Sequence, residues 1–174
     1  ICIDSPNYLA VERALKVYKS TGSLFINSIT AEDSRINNIL PLAIKYKAKL
    51  VALTMDDKGM PDTAGGRLEI AKEIVGKVKK AGFNTNDLYI DALIRPISTE
   101  PAQAAEFLKS IKMIKAFGGV KTICGLSNVS FGLPNRALVN SIFLAMAMSE
   151  GLDAAIIDPT EKHMASSLAA SGAL

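Results

Sequence analysis

Six short apolar runs recur along the chain, and a segment of helical character follows each of them. The runs are Ile1–Asp4, Leu24–Asn27, Leu50–Met55, Leu88–Asp91, Thr122–Asn128 and Ala154–Asp158. Most of them are apolar throughout, which is typical of strands that are covered on both faces. Strands that alternate with helices predict an α/β fold with a parallel sheet, built from units of about thirty residues.

The segments between the runs have the spacing of amphipathic helices. Apolar residues fall at i, i+3, i+4 and i+7 within Val11–Tyr18, Ala71–Val78 and Ala104–Ile111. Thr30 with Asp33 resembles a capping box at the start of a further helix. Pro41 lies inside that helical stretch and should kink the helix or divide it.

Six such units are compatible with two architectures. An open doubly wound sheet can be built from six strands, whereas a closed (β/α) barrel needs eight. Periodicity alone leaves these alternatives open. In both, the loops that contain Gly59, Pro61, Gly132 and Pro134 follow strands, which places the longer loops on the carboxyl side of the sheet.

Composition and charge narrow the possible partners. The net charge of +3 comes from 20 basic and 17 acidic residues, which are scattered and form no basic stripe for nucleic acid. The longest apolar run, Ala137–Met148, is about half the length of a membrane span, so it predicts a buried helix and no membrane association. Cys2 and Cys124 each lie in an apolar run, which favours reduced, buried thiols in a cytoplasmic protein.

Four of the runs end in a carboxylate or an amide, at Asp4, Asn27, Asp91 and Asn128. In a (β/α) barrel the carboxyl ends of different strands converge on one mouth. Any one of these residues could instead cap a helix or close a turn. Together, and without a cluster of Arg, Lys or His, they favour a neutral heterocycle rich in donors and acceptors over a phosphate. A pterin is such a ligand.

Several other chemistries lack the residues that they need. His163 is the only histidine, so neither a histidine-based triad nor a histidine metal cluster can be built, and we expect no metal site. Ser127 and Ser130 have no candidate base, which argues against nucleophilic catalysis.

The segment Cys124-Gly-Leu-Ser-Asn-Val-Ser130, followed by Asn135-Arg136 and Gly151-Leu-Asp-Ala-Ala155, resembles the pterin-binding methyltransferase family. That family includes methyltetrahydrofolate:corrinoid iron–sulfur protein methyltransferase and the folate domain of cobalamin-dependent methionine synthase. The resemblance implies a TIM (β/α)8 barrel in which Ile1–Asp4 is the third strand. Residues 1–174 would then be a single pterin-binding domain, truncated at its N-terminus, with strands 3 to 8 present and the first two β/α units missing.

The resemblance also implies roles for the residues at the strand ends. Asp4, Asn27 and Asp91 are expected to hydrogen-bond the polar edge of the pterin, since a carboxylate can accept from both the amino group and the adjacent ring N–H. Asn128 resembles the asparagine beside the methyl-bearing nitrogen. Asn128 and Asp91 are therefore the candidate catalytic residues.

Four further residues complete the implied substrate-binding set. Gly125 and Ser127 would let the backbone approach the ring, and Arg136 resembles an arginine that lies against the bound pterin. Phe131 is included with less weight, because its position varies within the family.

The implied activity is transfer of a methyl group between N5 of tetrahydrofolate or methyltetrahydrofolate and the cobalt of a corrinoid. The corrinoid, cobalamin, would be carried by a partner protein or a cobalamin-binding domain, and the family commonly forms homodimers. One alternative is a dihydropteroate synthase-like enzyme, although the loop Val129–Arg136 lacks the lysine and the Ser-X-Arg pattern expected there. Another is a non-catalytic, partner-completed barrel fragment that binds pterin. The direction of transfer stays open.

Overall fold

Strands and helices alternate strictly in the computed structural model, which describes residues 1–19 and 22–172. The elements are β1 (Cys2–Asp4), α1 (Tyr8–Val17), β2 (Phe25–Ile29), α2 (Asp33–Lys45), β3 (Lys49–Leu53), α3 (Ala64–Lys80), β4 (Leu88–Asp91), α4 (Ala102–Phe117), β5 (Lys121–Gly125), α5 (Arg136–Ser149), β6 (Ala154–Ile156) and α6 (Lys162–Ser171). Short 3₁₀ helices cover Thr85–Asp87, before β4, and Leu126–Ser130, after β5. The six predicted β/α units are all present.

All six strands are parallel and lie in the order of the sequence, β1 to β6. A doubly wound sheet would reverse its strand order at a switch point, whereas a barrel adds each strand beside the preceding one. The sheet curls into a half-barrel. The predicted α/β fold and its reading as part of a TIM barrel are therefore confirmed. Among the described residues, β1 and β6 each pair with one neighbour only.

The helices pack on the convex face of the sheet. Ile26, Leu50 and Ile90 point to this face and are completely buried in the main apolar cluster. Every helix contributes to that cluster, for example α3 through Ile74 and α4 through Ile111. Since each helix buries an apolar stripe against the strands, this layer carries most of the hydrophobic stabilisation.

The concave face has a separate, smaller cluster formed by strand residues alone. Val51, Tyr89 and Ile123 form its buried centre. The rings of Phe25 and Tyr89 meet edge to face with centroids 5.1 Å apart. Lys49 extends over the Phe25 ring at 5.3 Å, on the amino side of the strands. This is the interior of the barrel, and the residues two positions farther along these strands lie on the same face at the carboxyl rim.

The predicted strand Thr122–Asn128 is too long. β5 ends at Gly125, and the chain then turns through the 3₁₀ helix Leu126–Ser130. The loop after β4 holds this turn, because the Ile97 amide donates to the carbonyl of Val129 at 3.1 Å. Asn128 therefore projects from a turn above the sheet and does not end a strand.

The region of α2 differs from the sequence-based expectation in two ways. The capping box is wrong: Glu32 is the N-cap residue, and the Thr30 hydroxyl accepts from the Glu32 amide at 3.3 Å. Pro41 lies within α2 but does not divide it. The carbonyl whose bond Pro41 removes belongs to the exposed residue Asn37, so water can replace that bond.

Two burial predictions are only half right. Cys124 is buried against the helices, but Cys2 is exposed because it lies on the concave side of β1 at the sheet edge. In α5, Phe143 and Leu144 are buried, whereas an apolar stripe on the opposite face is 45 to 55% exposed. The stripe consists of Leu138, Ile142 and Met146.

No helix among the described residues has both the length and the apolar character needed to cross a membrane.

Candidate functional site

The polar rim of the half-barrel begins with a direct contact between its first two strands. Asp4 ends β1, whereas its register partner Asn27 lies two residues before the end of β2, so the prediction that Asn27 ends its strand is wrong. The Asn27 side-chain amide donates to Asp4 Oδ2 at 3.2 Å. A cavity of about 330 Å³ opens beside this pair. Its lining consists of Asp4, Ser5, Pro6, Asn27, Ser28, Thr30, Glu32, Arg35 and Leu53. The pair presents a carboxylate and an amide to the same space.

Arg35 supports this corner and was not identified from the sequence. It reaches out of α2 and donates to the backbone carbonyls of Pro6 and Ser28. These carbonyls belong to the loop after β1 and to β2, so Arg35 fixes the segments that carry Asp4 and Asn27. In the sequence it resembles any basic residue on a helical face, and only the fold brings it to the strand ends.

Asp91 ends β4 and is the buried acid of the rim. Its Oδ1 accepts from the Leu93 amide at 2.7 Å, and the Gly125 amide also bonds to the carboxylate. Burial raises the pKa of Asp91 to about 6, against the opposing effects of these two amides and of the positive charge of Arg67. The carboxylate is thus held rigidly and titrates close to neutral pH.

Gly125 and Asn128 meet at the end of β5. A Cβ atom on Gly125 would lie 3.3 Å from Nδ2 of Asn128, so the amide side chain lies over the glycine backbone. The Gly125 amide binds Asp91 on its other side. Gly125 therefore connects the buried carboxylate with the exposed amide of Asn128.

The turn after β5 is fixed by Arg136, the first residue of α5. Its Nε donates to the Ser130 hydroxyl at 3.0 Å, and its Nη2 donates to the Ser127 carbonyl at 2.8 Å. Its guanidinium carbon lies 6.0 Å from the centre of the Phe131 ring, which is 64% exposed. Arg136 thus holds the turn that carries Asn128 and presents a flat cation beside an exposed aromatic ring.

The rim has two polar groups separated by one strand. Asp4 and Asn27 form one group, and Asp91 and Asn128 form the other. Between them β3 ends in Leu53, which pairs in register with Asp91 and also lines the cavity beside Asp4. Leu53 was missed by the sequence reasoning because it is one apolar residue of an apolar run. An apolar residue between two sets of hydrogen-bonding groups suits a flat heterocycle with a polar edge.

The fold and this polar rim define the chain as part of a (β/α) barrel with a candidate ligand site in its mouth, where such barrels carry their sites. The described residues contain no group of three or more His, Cys, Asp or Glu side chains that could hold a metal ion. Comparison with known sequences gives the family: residues 1–158 match the description "Pterin binding enzyme", and the chain belongs to that family. The resemblance noted from Cys124–Ser130 and its neighbours is thereby confirmed.

The chain is also similar in sequence to several curated proteins. The chain is 33% identical over 177 residues to a protein named methylcorrinoid:tetrahydrofolate methyltransferase from Eubacterium limosum, a match that covers 100% of this chain and 65% of that protein. It is 34% identical over 149 residues to methionine synthase of Mycobacterium tuberculosis, covering 78% of this chain and 12% of that protein. The methionine synthase of Mycobacterium leprae matches at 33% with the same coverage. The chain thus spans 65% or less of the length of these relatives.

Proposed function

We propose that this chain is the pterin-binding part of a methyltransferase that transfers a methyl group between a corrinoid and N5 of tetrahydrofolate. The observation that carries the proposal is the arrangement at the rim. A buried, rigid carboxylate at Asp91 and an exposed amide at Asn128 are joined through Gly125. The carboxylate can bind the pterin ring, and the amide can form a hydrogen bond at the reacting nitrogen N5. The names of the relatives support the same chemistry.

Recognition of the pterin is assigned to the carboxylates and to Asn27. The amino group and the neighbouring ring N–H of a pterin are parallel donors, which a carboxylate can accept with its two oxygens. Asp91 suits this role because backbone amides already fix its orientation, so its side chain loses little conformational entropy on binding. Asp4 and Asn27 would then bind the remaining polar edge, with Leu53 against the ring face.

The direction of transfer proposed is from the methylcorrinoid to tetrahydrofolate, as in the name of the relative that matches the whole chain. N5 attacks the methyl carbon, the carbon–cobalt bond breaks, and its electron pair stays on cobalt to give the cob(I) form. The N5 proton is then released to solvent. Positive charge develops on N5 in this step, and the Asn128 side-chain oxygen can accept the N5–H bond as it polarises. In the reverse direction the same amide would stabilise the protonated nitrogen.

The corrinoid is proposed to arrive on a separate protein or domain that docks over the rim. Phe131 and Arg136 are exposed on the turn above β5, where they can contact a ligand that is shared between two proteins. The barrel itself is proposed to close through two further β/α units between β6 and β1, because both of these strands have an unpaired edge in the described part of the chain.

Two further expectations remain proposals. Pairing of two copies is supported by the exposed apolar stripe Leu138, Ile142 and Met146 on α5, which could be covered in a dimer. A cytoplasmic location is compatible with the two free thiols, Cys2 and Cys124. Light scattering and fractionation of cells would test these two points separately.

The activity is tested by anaerobic absorbance spectroscopy of the intact protein with methylcobalamin and tetrahydrofolate. We expect the methylcobalamin spectrum to convert to that of cob(I)alamin while methyltetrahydrofolate forms in equal amount. In the same assay Asn128→Ala should slow the transfer. Asn37→Ala, at an exposed asparagine on α2, is its matched control. If tetrahydrofolate binds but neither direction of transfer occurs, even with corrinoid proteins added, the methyltransferase proposal is wrong and a binding role remains.

A further inference from the structure

Leu93, in the loop after β4, has a backbone conformation that leucine rarely adopts. Its φ is +57°, in the left-handed region, where the side chain of an L-residue crowds its own backbone. Two other non-glycine residues of the described chain have positive φ. Lys47 follows the end of α2, where a left-handed residue is common, and Asn135 is an asparagine, which tolerates this conformation. Leu93 has neither explanation.

The residues on both sides of Leu93 are fixed by the surrounding structure. Ala92 and Ile94 are buried in the main apolar cluster. The backbone carbonyl of Asp91 accepts from the amide and the hydroxyl of Thr54, at 3.0 and 3.2 Å. A strained residue persists where its surroundings fix it in this way, and such residues cluster at functional sites.

The left-handed turn directs the Leu93 amide at the carboxylate of Asp91. The N–H donates to Oδ1 at 2.7 Å, a short bond of the kind that charged acceptors form. The Gly125 amide is the second backbone donor to this carboxylate. Burial raises the pKa of Asp91 to about 6, and these two bonds oppose the rise because they stabilise the ionised form.

Two further groups act on Asp91 from neighbouring elements. Arg67 of α3, which is fully buried and donates to Gln103 of α4, contributes a positive charge. The thiol of Cys124 in β5 is kept neutral by burial, which raises its pKa. Within the described part of the chain, neither group makes a hydrogen bond to the Asp91 carboxylate. The two backbone amides therefore fix its orientation.

Core packing does not account for the side chain of Leu93. It is only partly buried and belongs to neither apolar cluster of the described residues. Glycine would adopt the same φ without the steric cost. A strained leucine that lies outside the core, two residues after the buried acid of the rim, suits contact with a ligand in the barrel mouth.

We propose that Leu93 is a positioning residue of the pterin site: its backbone amide orients the carboxylate of Asp91, and its side chain packs against the bound ring. The identity of the ring rests on the proposed function, whereas the action of the amide on Asp91 does not. A carboxylate accepts two parallel N–H bonds only in the plane of its two oxygens, so its orientation decides whether a pterin edge can bind.

The role of the amide is tested by Leu93→leucic acid, introduced by nonsense suppression, which replaces the N–H by an ester oxygen and keeps the side chain. The protein is labelled with ¹³C at the aspartate carboxyl carbons, and the Asp91 signal is assigned by its loss in Asp91→Asn. We expect the midpoint of the Asp91 titration to rise by about one pH unit, because the ionised form loses a donor. An unchanged midpoint in the folded ester protein would overturn the proposal.

Leu9 provides a matched control. Its amide also donates to a side-chain oxygen two residues earlier, Oδ1 of Asn7 at 2.9 Å, but at the exposed start of α1. Leu9→leucic acid should leave the Asp91 midpoint at the wild-type value. A rise as large as that in the Leu93 ester would show that the shift does not come from the lost bond.

The unmodified protein gives a second measurement, which does not depend on the folding of a variant. The Leu93 amide proton should shift during the titration with the same midpoint as the Asp91 carboxyl carbon, because the two groups share a hydrogen bond. A Leu93 signal that does not follow Asp91 would contradict the proposal.

The role of the side chain is tested by Leu93→Gly, which keeps the amide and adopts the same φ without strain. We expect the melting temperature and the Asp91 midpoint to stay near the wild-type values, and tetrahydrofolate binding, measured by calorimetry, to weaken several-fold. Leu9→Gly, at a leucine that is exposed on α1, should bind normally. A lower melting temperature with normal binding in Leu93→Gly would assign the side chain to packing and refute its contact with the ring.

Tetrahydrofolate binding by the wild-type protein separates this proposal from the proposed function. Failure to bind would refute the proposed function and the ring contact. The two titration measurements, which need no ligand, would still decide whether the Leu93 amide orients Asp91.

Discussion

The side-chain amide of Asn128 lies over the backbone of Gly125, at 3.3 Å from the position that a Cβ atom on that glycine would occupy. The backbone at Gly125 has φ of −79°, which any residue can adopt, so the absence of a side chain serves contact and not conformation. The Asn128 amide can pack directly against the backbone at the end of β5 because Gly125 has no side chain.

This contact makes Gly125→Ala a probe of Asn128. The added methyl group should push the amide away by a few tenths of an ångström, because the contact is tighter than ordinary packing. We expect the rate of methyl transfer to fall by about tenfold with a change in unfolding free energy of less than about 1 kcal/mol. Transfer kinetics and chemical denaturation on the same preparation check this. A large loss of stability with unchanged kinetics would contradict it.

Asn128→Ala should affect the chemical step more than ligand affinity. If the amide acts on N5 as charge develops there, its removal should slow transfer by about a hundredfold and weaken tetrahydrofolate binding by no more than a few-fold. Single-turnover kinetics and calorimetry give the two quantities. Asn37→Ala should change neither. Equal losses in rate and affinity would assign Asn128 to binding alone.

Asp91 gives a prediction for the pH dependence of stability. Its pKa in the folded protein, about 6, lies above the ordinary value of 3.8, so its contribution is fully present below pH 3.8 and is lost as pH rises through 6. Asp91→Asn carries no such titration. The stability of the variant relative to the wild type should therefore increase between pH 4 and pH 7, as thermal unfolding at several pH values can show. A constant difference over this range would mean that Asp91 is not a buried acid.

The same substitution should impair pterin binding. Asp91→Asn replaces one acceptor oxygen by a donor, which opposes the amino group of the ring. We expect tetrahydrofolate binding at pH 7.5 to weaken by about a hundredfold or more, as measured by calorimetry. Asp87→Asn, just before β4, is the control and should bind normally. Normal binding by Asp91→Asn would remove Asp91 from the site.

Arg136 should not be replaceable by lysine. It makes two hydrogen bonds to the turn, to Ser130 and Ser127, with separate nitrogens of one planar group, which an ammonium group cannot reproduce. In Arg136→Lys we expect faster amide exchange in the turn at residues 126–131 and transfer slowed by about tenfold. The exposed Arg13 of α1 offers a matched control, Arg13→Lys, in which both quantities should stay at the wild-type level.

Much of the rim could be predicted because parallel strands bring their carboxyl ends to one edge. Asp4 and Asp91 follow from that rule once the runs are recognised as strands, whereas Asn27 lies at the rim although β2 continues to Ile29. Asn128 was placed at the correct edge for the wrong reason, since a turn carries it. The turn depends on contacts from the loop after β4, where the Ser98 hydroxyl donates to the Phe131 carbonyl at 2.7 Å. Such a contact between distant residues leaves no local signal.

The contacts of two charged residues, Arg67 and Asp153, could not be predicted from local sequence either. Arg67 lies three, four and seven residues before Ile70, Ala71 and Ile74, so it occupies an apolar position of the α3 stripe, which is the one signal the sequence offered. Asp153 belongs to a segment that carries the family resemblance. In the structure it joins β5 to the loop before β6, by accepting from the Thr122 amide at 2.7 Å and from Lys115 at 2.8 Å.

The sequence by itself determined the number, type and order of the β/α units and the rim at which the polar strand ends meet. These follow from local periodicity and from the direction of parallel strands. The tertiary structure decided which side chains are buried, which charges face each other and where Asn128 points. Those properties depend on contacts between residues far apart in the chain, such as Arg67 and Gln103. Burial strongly changes the free energy of a charged side chain, and local sequence does not show which charges are buried.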